Sequence, residues 1–412
     1  MDILKQAKKV KEVSGVLAGI STLQLNDAIV LIADEIEANA QLIIDANALD
    51  MENGRANQIP KSRLDRLMLN EMRIKDIASA ARDVVKLPDV LEEEQCFTRP
   101  NGLKMRKMTV SLGVVGMIYK SRPNVTVDAA VLCLKSGNAV LLRGGKEAHH
   151  SNQAIVNIIK GALIKANLPD GAVELVQDTS RETALKMMRL DDHLDLLIPR
   201  GGANLIRSVK ENATVPIIET GTGNCHIYIN EAANTQMALD ILVNAKVQRP
   251  SVCNACESIV IDQSVAQKLL PQIQMVLEEC GVEIRGCPVT ADIIDVKAAN
   301  NEDFYTEYNE LIISVKVVQG ISDAIAHINE HGTKHSESII TDDLNQAKKF
   351  LQLVDASCVY HNASTRFSDG SELGFGAEIG ISTQKLHARG PFALEALTTY
   401  KYVIEGAGHV RN

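Results

Sequence analysis

The stretch LKMRKMTVSLGVVGMIY, Leu103–Tyr119, first alternates polar and apolar residues and then becomes continuously apolar. Alternation is typical of a strand with one exposed face, whereas an unbroken apolar run is typical of a strand that is buried on both faces. The stretch therefore predicts an exposed hairpin that leads into a buried strand. Similar apolar runs follow it at Ala139–Gly145, Gly171–Asp178 and Leu194–Gly202.

Helical segments separate these runs, among them Ser151–Ala166 and Arg181–Arg189. A repeated order of strand, helix and strand with short loops is the signature of a parallel, doubly wound sheet. Ligands bind such sheets at the carboxyl ends of the strands. We therefore expect the glycine-rich turns that follow the strands to border a binding site.

The regions on either side of this sheet extend the α/β plan. Residues 1 to about 95 predict one helix from Asn26-Asp27 to Gly54 and another over Ser62–Val85, because apolar positions recur there at helical spacing. Residues 231–360 predict a second α/β lobe. The tail after His361 is rich in loops and ends in TTYKYV, which predicts a strand with an exposed edge.

Composition excludes several classes of function. A chain of 412 residues with 45% hydrophobic content is typical of a soluble protein with two or three lobes. A net charge of −9 argues against nucleic-acid binding, which requires basic surfaces. The charged N-terminus predicts no signal peptide, and no stretch is apolar enough to span a membrane. Eight cysteines without regular spacing indicate thiols in a reducing cytoplasm.

One cysteine has a distinctive setting. The segment QRPSVCNACES, Gln248–Ser258, places Cys253 after a Pro-Ser break and before a run that predicts a helix. At a helix N-terminus the macrodipole favours the thiolate, which is the nucleophilic form. Cys253 is therefore a candidate for covalent carbonyl chemistry. The C-x-x-C pattern with Cys256 leaves a thiol–disulfide redox pair open as an alternative.

A histidine series raises a metal-site hypothesis. His327, His331 and His335 recur four residues apart, as zinc ligands on a helix can. Gly332 interrupts that helix, and no carboxylate or cysteine completes the ligand set. We therefore predict no metal, and we interpret two of these histidines as cations near a helix C-terminus.

Several motifs, taken in their order, resemble the aldehyde dehydrogenase superfamily. Within it they are similar to the branch whose members reduce γ-glutamyl phosphate. The motifs lie between about residues 103 and 403 and read GVVGMIYKSRPNVTVDAAVLCLKSGNAVLLRGGKEA, LLIPRGGANLI, ETGTGNCHIYI, NAKVQRPSVCNACES, NASTRFSDGSELGFGAEIGISTQKLHARGP and TTYKYV. Their order and combination are more specific than any one of them alone.

The resemblance implies an aldehyde dehydrogenase-like α/β fold with two doubly wound parallel-sheet lobes and a small β oligomerisation element. Residues 1–230, with the hairpin near 103–111, would form the cofactor-binding domain. Residues 231–360 would form the catalytic domain that carries the nucleophilic cysteine. Residues 361–412 would return to the cofactor domain and supply the C-terminal oligomerisation strand.

The resemblance also implies roles for individual residues. Cys253 would be the nucleophile that forms a thioester, and Asn124 would donate its side-chain amide to the oxyanion. The substrate's anionic groups would be bound by Arg122, Arg366, Lys385 and Arg389. The alternative for Asn124 is a structural role as a turn asparagine after Pro123. The alternative for Arg366, Lys385 and Arg389 is that each is a solvated surface charge.

Binding of a nicotinamide cofactor, preferably NADP(H), is implied in the same way. Lys146 lies near the position where NAD-preferring relatives often have an acidic residue, and a cation there favours the 2′-phosphate of NADP. The alternative for Lys146 is a solvated loop position. Glu219 aligns with the superfamily's general base, although we expect it only to line the site near the nicotinamide. The residues implied to bind the cofactor are Arg143, Lys146, Gly201, Gly202, Glu219 and Glu307.

These roles together predict NADPH-dependent reduction of L-glutamyl 5-phosphate to L-glutamate 5-semialdehyde and phosphate, the second step of proline biosynthesis from glutamate. The alternative is a hydrolytic NAD(P)-dependent aldehyde dehydrogenase that uses Glu219 as its general base. The resemblance further implies a cytoplasmic homo-oligomer, a dimer or larger. It leaves open whether a glutamate 5-kinase docks to deliver the unstable acyl phosphate.

Overall fold

The structure is a computed structural model, and it describes residues 2–92, 94–120, 122–374 and 377–411. Ser121 in the SRPN motif and Phe375-Gly376 in the tail motif therefore lie outside the described residues. The chain divides into two compact units. The first unit comprises residues 1–220, 375–380 and 392–412, and the second comprises residues 221–374 and 381–391. The division thus falls after Thr220, whereas the sequence placed a domain boundary after residue 230.

Helices and strands alternate along most of the described chain. The helices are α1 Ile3–Leu17, α2 Thr22–Ala38, α3 Ala40–Ala56, α4 Lys61–Leu67, α5 Glu71–Val85, α6 Asn124–Lys135, α7 His149–Lys165, α8 Arg181–Met187, α9 Ala203–Asn212, α10 Thr235–Val247, α11 Gln263–Glu279, α12 Pro288–Ala291, α13 Gly320–His331 and α14 Leu344–Leu353. The strands are β1 Glu94–Thr98, β2 Lys104–Ser111, β3 Val114–Tyr119, β4 Ala139–Arg143, β5 Val173–Leu175, β6 Leu196–Arg200, β7 Cys225–Ile229, β8 Cys256–Asp262, β9 Glu283–Gly286, β10 Lys297–Ala298, β11 Ile312–Val318, β12 Ser336–Ile340, β13 Cys358–His361, β14 Gly380–Ser382, β15 Gly390–Phe392 and β16 Thr398–Glu405.

A parallel four-stranded sheet, in the order β5-β4-β3-β6, forms the centre of the first unit. Every residue of β3 and β4 is buried, as expected of strands that are covered on both faces. In the register, Val115 of β3 lies between Val140 of β4 and Leu196 of β6. The predicted parallel sheet is therefore confirmed. The turns at Gly144 and Gly201 follow β4 and β6, so both lie at the carboxyl edge of this sheet.

A smaller antiparallel sheet in the first unit has the order β1-β2-β16. The alternating stretch identified in the sequence forms β2, which pairs with β1 on one side and β16 on the other. The C-terminal strand lies at the edge of the sheet, and the side chains of Tyr400, Tyr402 and Ile404 are exposed on it. The predicted strand with an exposed edge is thus confirmed.

The second unit contains a parallel sheet of seven strands in the order β10-β9-β11-β8-β7-β12-β13. Its central strands β7, β8 and β12 are buried along their full length. Helices α10 and α11 contribute to one apolar core, and α13 and α14 contribute to another. The predicted second α/β lobe is confirmed.

The N-terminal helices differ from the prediction. The single helix expected up to Gly54 is wrong, because the chain breaks at Asn39, whose side-chain amide donates to the carbonyl oxygen of Glu35 at 2.7 Å. Asparagine competes in this way for backbone hydrogen bonds and weakens helix interiors. Gly54 lies within α3, where a Cβ would approach Leu64 to 2.8 Å, so its role is close packing.

The second predicted N-terminal helix is also divided. It consists of α4 and α5, and the side chain of Asn70 caps the second of them by accepting from the Arg73 backbone N–H at 2.9 Å. Within the described residues, no helix is both long enough and apolar enough to cross a membrane.

Asn138 connects distant parts of the first unit and provides a test of this fold. Its buried side chain accepts from the Gly113 N–H and donates to the Leu397 carbonyl oxygen, each at 2.8 Å. We expect Asn138→Ala to lower the free energy of unfolding by about 1–3 kcal/mol, because buried polar groups lose their partners. The urea midpoint of the far-UV circular dichroism signal measures this loss. Asn157→Ala, at an exposed position of α7, is the matched control. Equal midpoints for the two variants would contradict the stabilising role of the Asn138 hydrogen bonds.

Candidate active site

Cys253 lies in a turn of the second unit, between the end of α10 and the start of β8. The Ala255 N–H donates to the Val252 carbonyl oxygen at 3.1 Å and closes this turn. The helix predicted after Cys253 is wrong, because Cys256–Asp262 form a fully buried central strand. Short apolar runs are ambiguous between helix and strand, and here burial between neighbouring strands decides. No helix macrodipole therefore acts on this thiol from its own segment.

Gly223 supports the Cys253 turn from behind. A Cβ built on Gly223 would lie 1.4 Å from the Cys253 carbonyl oxygen, so no side chain fits at this position. The Gly223 N–H donates to Glu307 Oε1 at 2.7 Å. Glu307 thus holds the backbone against which the cysteine packs. The sequence signal for this contact was the glycine pattern of the ETGTG motif.

A buried ion pair joins the two elements that flank the turn. Lys246 Nζ of α10 lies 2.6 Å from Glu257 Oε2 of β8, and both side chains are fully buried. Burial raises the pKa of Glu257 to about 7, and Lys246 opposes this rise. Glu257 Oε1 also accepts from the Asn309 N–H at 3.2 Å. These residues were not identified from the sequence, because their pairing exists only when the strand lies beside the helix.

Asn254, which follows the cysteine, connects the turn to the tail motif. Its side-chain amide donates to the carbonyl oxygens of Arg366 and Ser368 at 3.2 and 3.0 Å. Its Oδ1 accepts from Arg366 Nη1, and its backbone carbonyl accepts from Thr365 Oγ1 at 2.7 Å. The predicted substrate residue Arg366 is therefore brought to the Cys253 turn.

Arginine side chains contribute positive charge at this turn. Burial lowers the pKa of Arg366, the charge of Asp369 opposes this effect, and the nearby Arg249 lowers the pKa further. Arg366 Nε also donates to Gln248 Oε1 at 3.1 Å. Arg249 is exposed and was not identified as a site residue, although it lies within the cysteine motif.

Two further cysteines, Cys225 and Cys256, lie close to Cys253, and burial disfavours the thiolate of each. The thiol of Cys225 donates to the Cys253 carbonyl oxygen at 3.2 Å, and burial raises its pKa well above the ordinary value. Burial raises the pKa of Cys256 to about 12. Because thiolates are the reactive form, neither residue is suited to a redox pair at neutral pH.

Lys385 and Arg389, also predicted to bind substrate, lie together at Asp355. Arg389, Lys385 and Lys334 approach the Asp355 carboxylate to 2.7, 3.0 and 3.1 Å. Hydrogen bonds from Arg389, Lys385 and Lys334 hold the pKa of Asp355 well below its usual range. Three cations share one carboxylate, so the cluster retains a net positive charge.

The first unit carries the predicted oxyanion donor at the start of α6. Asn124 is the first residue of that helix, and its side-chain amide donates to Asp128 Oδ2 at 3.0 Å. Arg122 precedes the helix and is half-buried. Asp128 was not identified from the sequence, although a spacing of four residues places it on the same helix face as Asn124.

The predicted cofactor residues at the end of β4 differ in their surroundings. The buried guanidinium of Arg143 donates through Nη2 to the carbonyl oxygens of Thr179 and Ser180, the latter at 2.9 Å. Burial lowers the pKa of Arg143. Lys146 is exposed at the start of the following turn. Arg143 therefore braces the backbone, and Lys146 is the cation accessible to a ligand.

Gly201 and Gly202 form the turn between β6 and α9, as predicted. A Cβ built on Gly202 would have no atom within 4 Å, and no side chain caps the N-terminus of α9. Open space beside Gly202, at the N-terminus of a helix, leaves room for an anionic group such as a phosphate. Dinucleotide binding at this turn stays a prediction.

Glu219 lies in the first unit after the end of the sheet. Its carboxylate forms an ion pair with Lys210 of α9, with Oε2 at 3.1 Å from Nζ. The Glu219 side chain is largely buried, with 14% of it exposed. A lysine ammonium thus pairs with the carboxylate that the hydrolytic alternative requires as a base.

The histidine series is buried in the second unit. The rings of His327 and His331 stack with their centroids 4.1 Å apart. Burial lowers the pKa of His327 to about 3 and that of His335 to about 4, so both are neutral at pH 7. The interpretation of His327 as a cation is therefore wrong. In the part of the chain that the structure describes, no group of three or more His, Cys, Asp or Glu residues is arranged to hold a metal ion.

Comparison with known proteins agrees with this architecture. Residues 65–310 match the model of the aldehyde dehydrogenase family. The chain therefore belongs to the aldehyde dehydrogenase family. An acetylating aldehyde dehydrogenase from Geobacillus thermoglucosidasius superimposes with a TM-score of 0.70 at 16% identity, over 100% of this chain and 97% of that chain, and it shares the fold.

Closer relatives identify the group within the family. The γ-glutamyl phosphate reductases of Caldicellulosiruptor bescii and Clostridium perfringens are 54% and 53% identical to this chain, over 100% of this chain and 99% of theirs. The crystal structure of the γ-glutamyl phosphate reductase from Thermotoga maritima has a TM-score of 0.98 at 47% identity and covers 100% of both chains. These relatives place the chain among the γ-glutamyl phosphate reductases.

The close packing of Gly223 can be tested through the reactivity of the thiol. We expect Gly223→Ala to displace the Cys253 turn and to change the rate of Cys253 alkylation by iodoacetamide at least about tenfold, because the new methyl group would overlap the turn backbone. Mass spectrometry of the native protein measures this rate. Gly161→Ala, in α7 with open space around the added methyl group, is the control. Identical alkylation rates in all three proteins would show that the turn does not depend on Gly223.

Proposed function

We propose that this chain reduces L-glutamyl 5-phosphate to L-glutamate 5-semialdehyde and phosphate with NADPH, the second step of proline biosynthesis. The observation that carries the proposal is full-length identity above 50% to γ-glutamyl phosphate reductases, which spans both units and every motif of the site. The same similarity favours this reaction over the hydrolytic alternative. The ion pair of Glu219 with Lys210 supports the choice, because the lysine ammonium would compete with an attacking water for that carboxylate.

Cys253 is the nucleophile of the proposed reaction. Its sulfur attacks C5 of the acyl phosphate, a C–S bond forms, and the C5–O bond breaks so that phosphate leaves with the electron pair. When bound, NADPH supplies the hydride that reduces the thioester. The C–S bond then breaks, the electron pair returns to sulfur, and the semialdehyde leaves.

Negative charge on the carbonyl oxygen needs donors during both steps. We assign this role to the Asn124 side-chain amide and to the backbone N–H of Cys253. Gly223 packs against the Cys253 carbonyl group and so restrains the turn that also carries the Cys253 N–H. Preorganised donors of this kind contribute about 100- to 1000-fold in rate.

The anionic groups of the substrate are bound by arginine and lysine side chains. Arg366 is the principal ligand in this proposal, because its contacts with Asn254 bring it to the Cys253 turn. Lys385 and Arg389 contribute through the net positive charge of their cluster at Asp355. Arg122 lies just before helix α6, which begins at Asn124. Arginine binds carboxylate and phosphate groups with paired hydrogen bonds.

NADP(H) is the proposed cofactor. The turn of Gly201 and Gly202 at the N-terminus of α9, which is open beside Gly202, receives the pyrophosphate, and Lys146 binds the 2′-phosphate that distinguishes NADP from NAD. Arg143 supports the adjoining turn through its bonds to backbone carbonyl groups. Glu219 lines the nicotinamide end, and Glu307 is assigned to the nicotinamide ribose.

We further propose a cytoplasmic homo-oligomer that associates through β16. Its exposed edge and its tyrosine and isoleucine side chains support this assignment. Delivery of the acyl phosphate by a docked glutamate 5-kinase would protect an unstable substrate, and it belongs to the same proposal.

Dependence on phosphate distinguishes the proposed reaction from hydrolysis. In the reverse direction, we expect NADP⁺ to be reduced by glutamate 5-semialdehyde only when inorganic phosphate is present, because phosphate must release the thioester. Cys253→Ala should lower this rate by at least about 1000-fold. Absorbance at the NADPH band measures both effects. Cys280→Ala, another partly buried thiol of the second unit, is the control and should retain activity. Turnover without phosphate would favour the hydrolytic alternative, and an active Cys253→Ala would refute the thioester.

Cofactor preference tests Lys146. We expect Lys146→Ala to raise the KM for NADP⁺ by about 10- to 100-fold, because a charge-assisted hydrogen bond to phosphate is lost. The KM for NAD⁺ should change less than about twofold. Initial rates with each cofactor provide the measurement. Lys165→Ala, another exposed lysine of the first unit, should leave both constants unchanged. Equal effects on the two cofactors would remove Lys146 from recognition of the 2′-phosphate.

A further inference from the structure

Asp128 is a half-buried carboxylate on α6 that none of the assigned steps uses. It lies four residues after Asn124, so the two side chains share one face of the helix. Asn124 Nδ2 is 3.0 Å from Asp128 Oδ2. The carboxylate therefore contacts the nitrogen of the amide that the proposed function assigns to the oxyanion.

The chemistry of this contact determines the orientation of the amide. An ionised carboxylate only accepts hydrogen bonds, whereas an amide has a donor end and an acceptor end. Asp128 thus stabilises the orientation in which Nδ2 faces it, and it disfavours the flipped amide that would turn Oδ1 toward the same oxygen. In the stabilised orientation, Nδ2 has a second N–H that can donate to another acceptor.

We propose that Asp128 is a positioning residue, which selects the orientation of the Asn124 amide that can donate to the oxyanion. The inference rests on the proposed function, because it needs an oxyanion that Asn124 stabilises. A flipped amide would present an oxygen to the developing negative charge and would raise the energy of the transition state. Asp128 acts through Asn124 and needs no contact with the substrate.

The surroundings of Asp128 allow it to select the orientation of the Asn124 amide at neutral pH. Burial raises its pKa to about 6, while the hydrogen bond from Asn124 and the positive charge of Arg200, at the end of β6, oppose the rise. The hydroxyl group of Tyr119, on β3, forms a hydrogen bond with Thr126, which lies on α6 as Asp128 does. Above pH 6 Asp128 is ionised and only accepts. Below pH 6 the protonated acid can donate to Oδ1, so the selection weakens and the rate should fall.

The experiment compares Asp128→Leu, Asp128→Asn and Asn124→Ala in the reverse reaction with semialdehyde, NADP⁺ and phosphate. We expect Asp128→Leu to lower kcat about 10- to 100-fold with KM for the semialdehyde unchanged within about twofold. Asp128→Asn, which has the same shape and keeps one acceptor oxygen, should retain more activity than the leucine variant. Its kcat should also lose the decline near pH 6.

A double-mutant cycle separates positioning from a general effect on structure. In the Asn124→Ala background, Asp128→Leu should cause no further loss of kcat, because the amide that it positions is absent. Additive losses would overturn the proposal, as would a raised KM with unchanged kcat, which would assign Asp128 to substrate binding. If Asp128→Leu does not fold, the pH profile of Asp128→Asn decides, and an unchanged decline near pH 6 would refute the role.

Failure of the proposed function gives a different result. If the wild type shows no phosphate-dependent reduction of NADP⁺, the reaction itself is wrong. If the wild type shows that activity and Asp128→Leu retains its full kcat, only the positioning role is wrong.

Discussion

The buried ion pair between Lys246 and Glu257 is the constraint on which the Cys253 turn depends. It joins the last turn of α10 to the second residue of β8, so the residues between them must form a compact loop. Removing one partner of such a pair typically costs about 3–5 kcal/mol, because a buried charge is left uncompensated. The pair therefore determines the conformation of this loop more than it adds net stability.

Further contacts complete the support of this turn from several parts of the second unit. Gly223 packs against the Cys253 carbonyl group and is held by Glu307, while Asn254 binds the segment that carries Arg366. Each contact involves at least one backbone group, which has little conformational freedom in the folded turn. A nucleophile that must meet both an acyl carbon and oxyanion donors benefits from this rigidity, because misplacement by about 1 Å can cost 100-fold in rate.

Charge is arranged differently from the way the sequence suggested. The cysteine segment predicted a helix whose macrodipole would act on Cys253, but the following residues form a central strand and the positive charge comes from arginines. The prediction failed because a run as short as CESIVID fits either a helix or a strand, and its position between β7 and β11 makes it a strand. Similarly, the position of His327 near a helix C-terminus suggested a cation, whereas burial keeps it neutral.

The sequence by itself determined the parallel α/β plan, the C-terminal edge strand, the family and the candidate residues, because apolar periodicity and local motifs depend on neighbouring positions. Only the tertiary structure decided which partners those residues have. The pairing of Arg143 with backbone carbonyl groups, of Glu219 with Lys210 and of Lys385 with Asp355 joins different secondary-structure elements or loops. Such contacts depend on how the elements pack. The residues that form these hydrogen bonds and ion pairs follow no regular spacing along the chain. Asp128 is the intermediate case, since helical spacing makes its contact with Asn124 possible and the folded helix shows it formed.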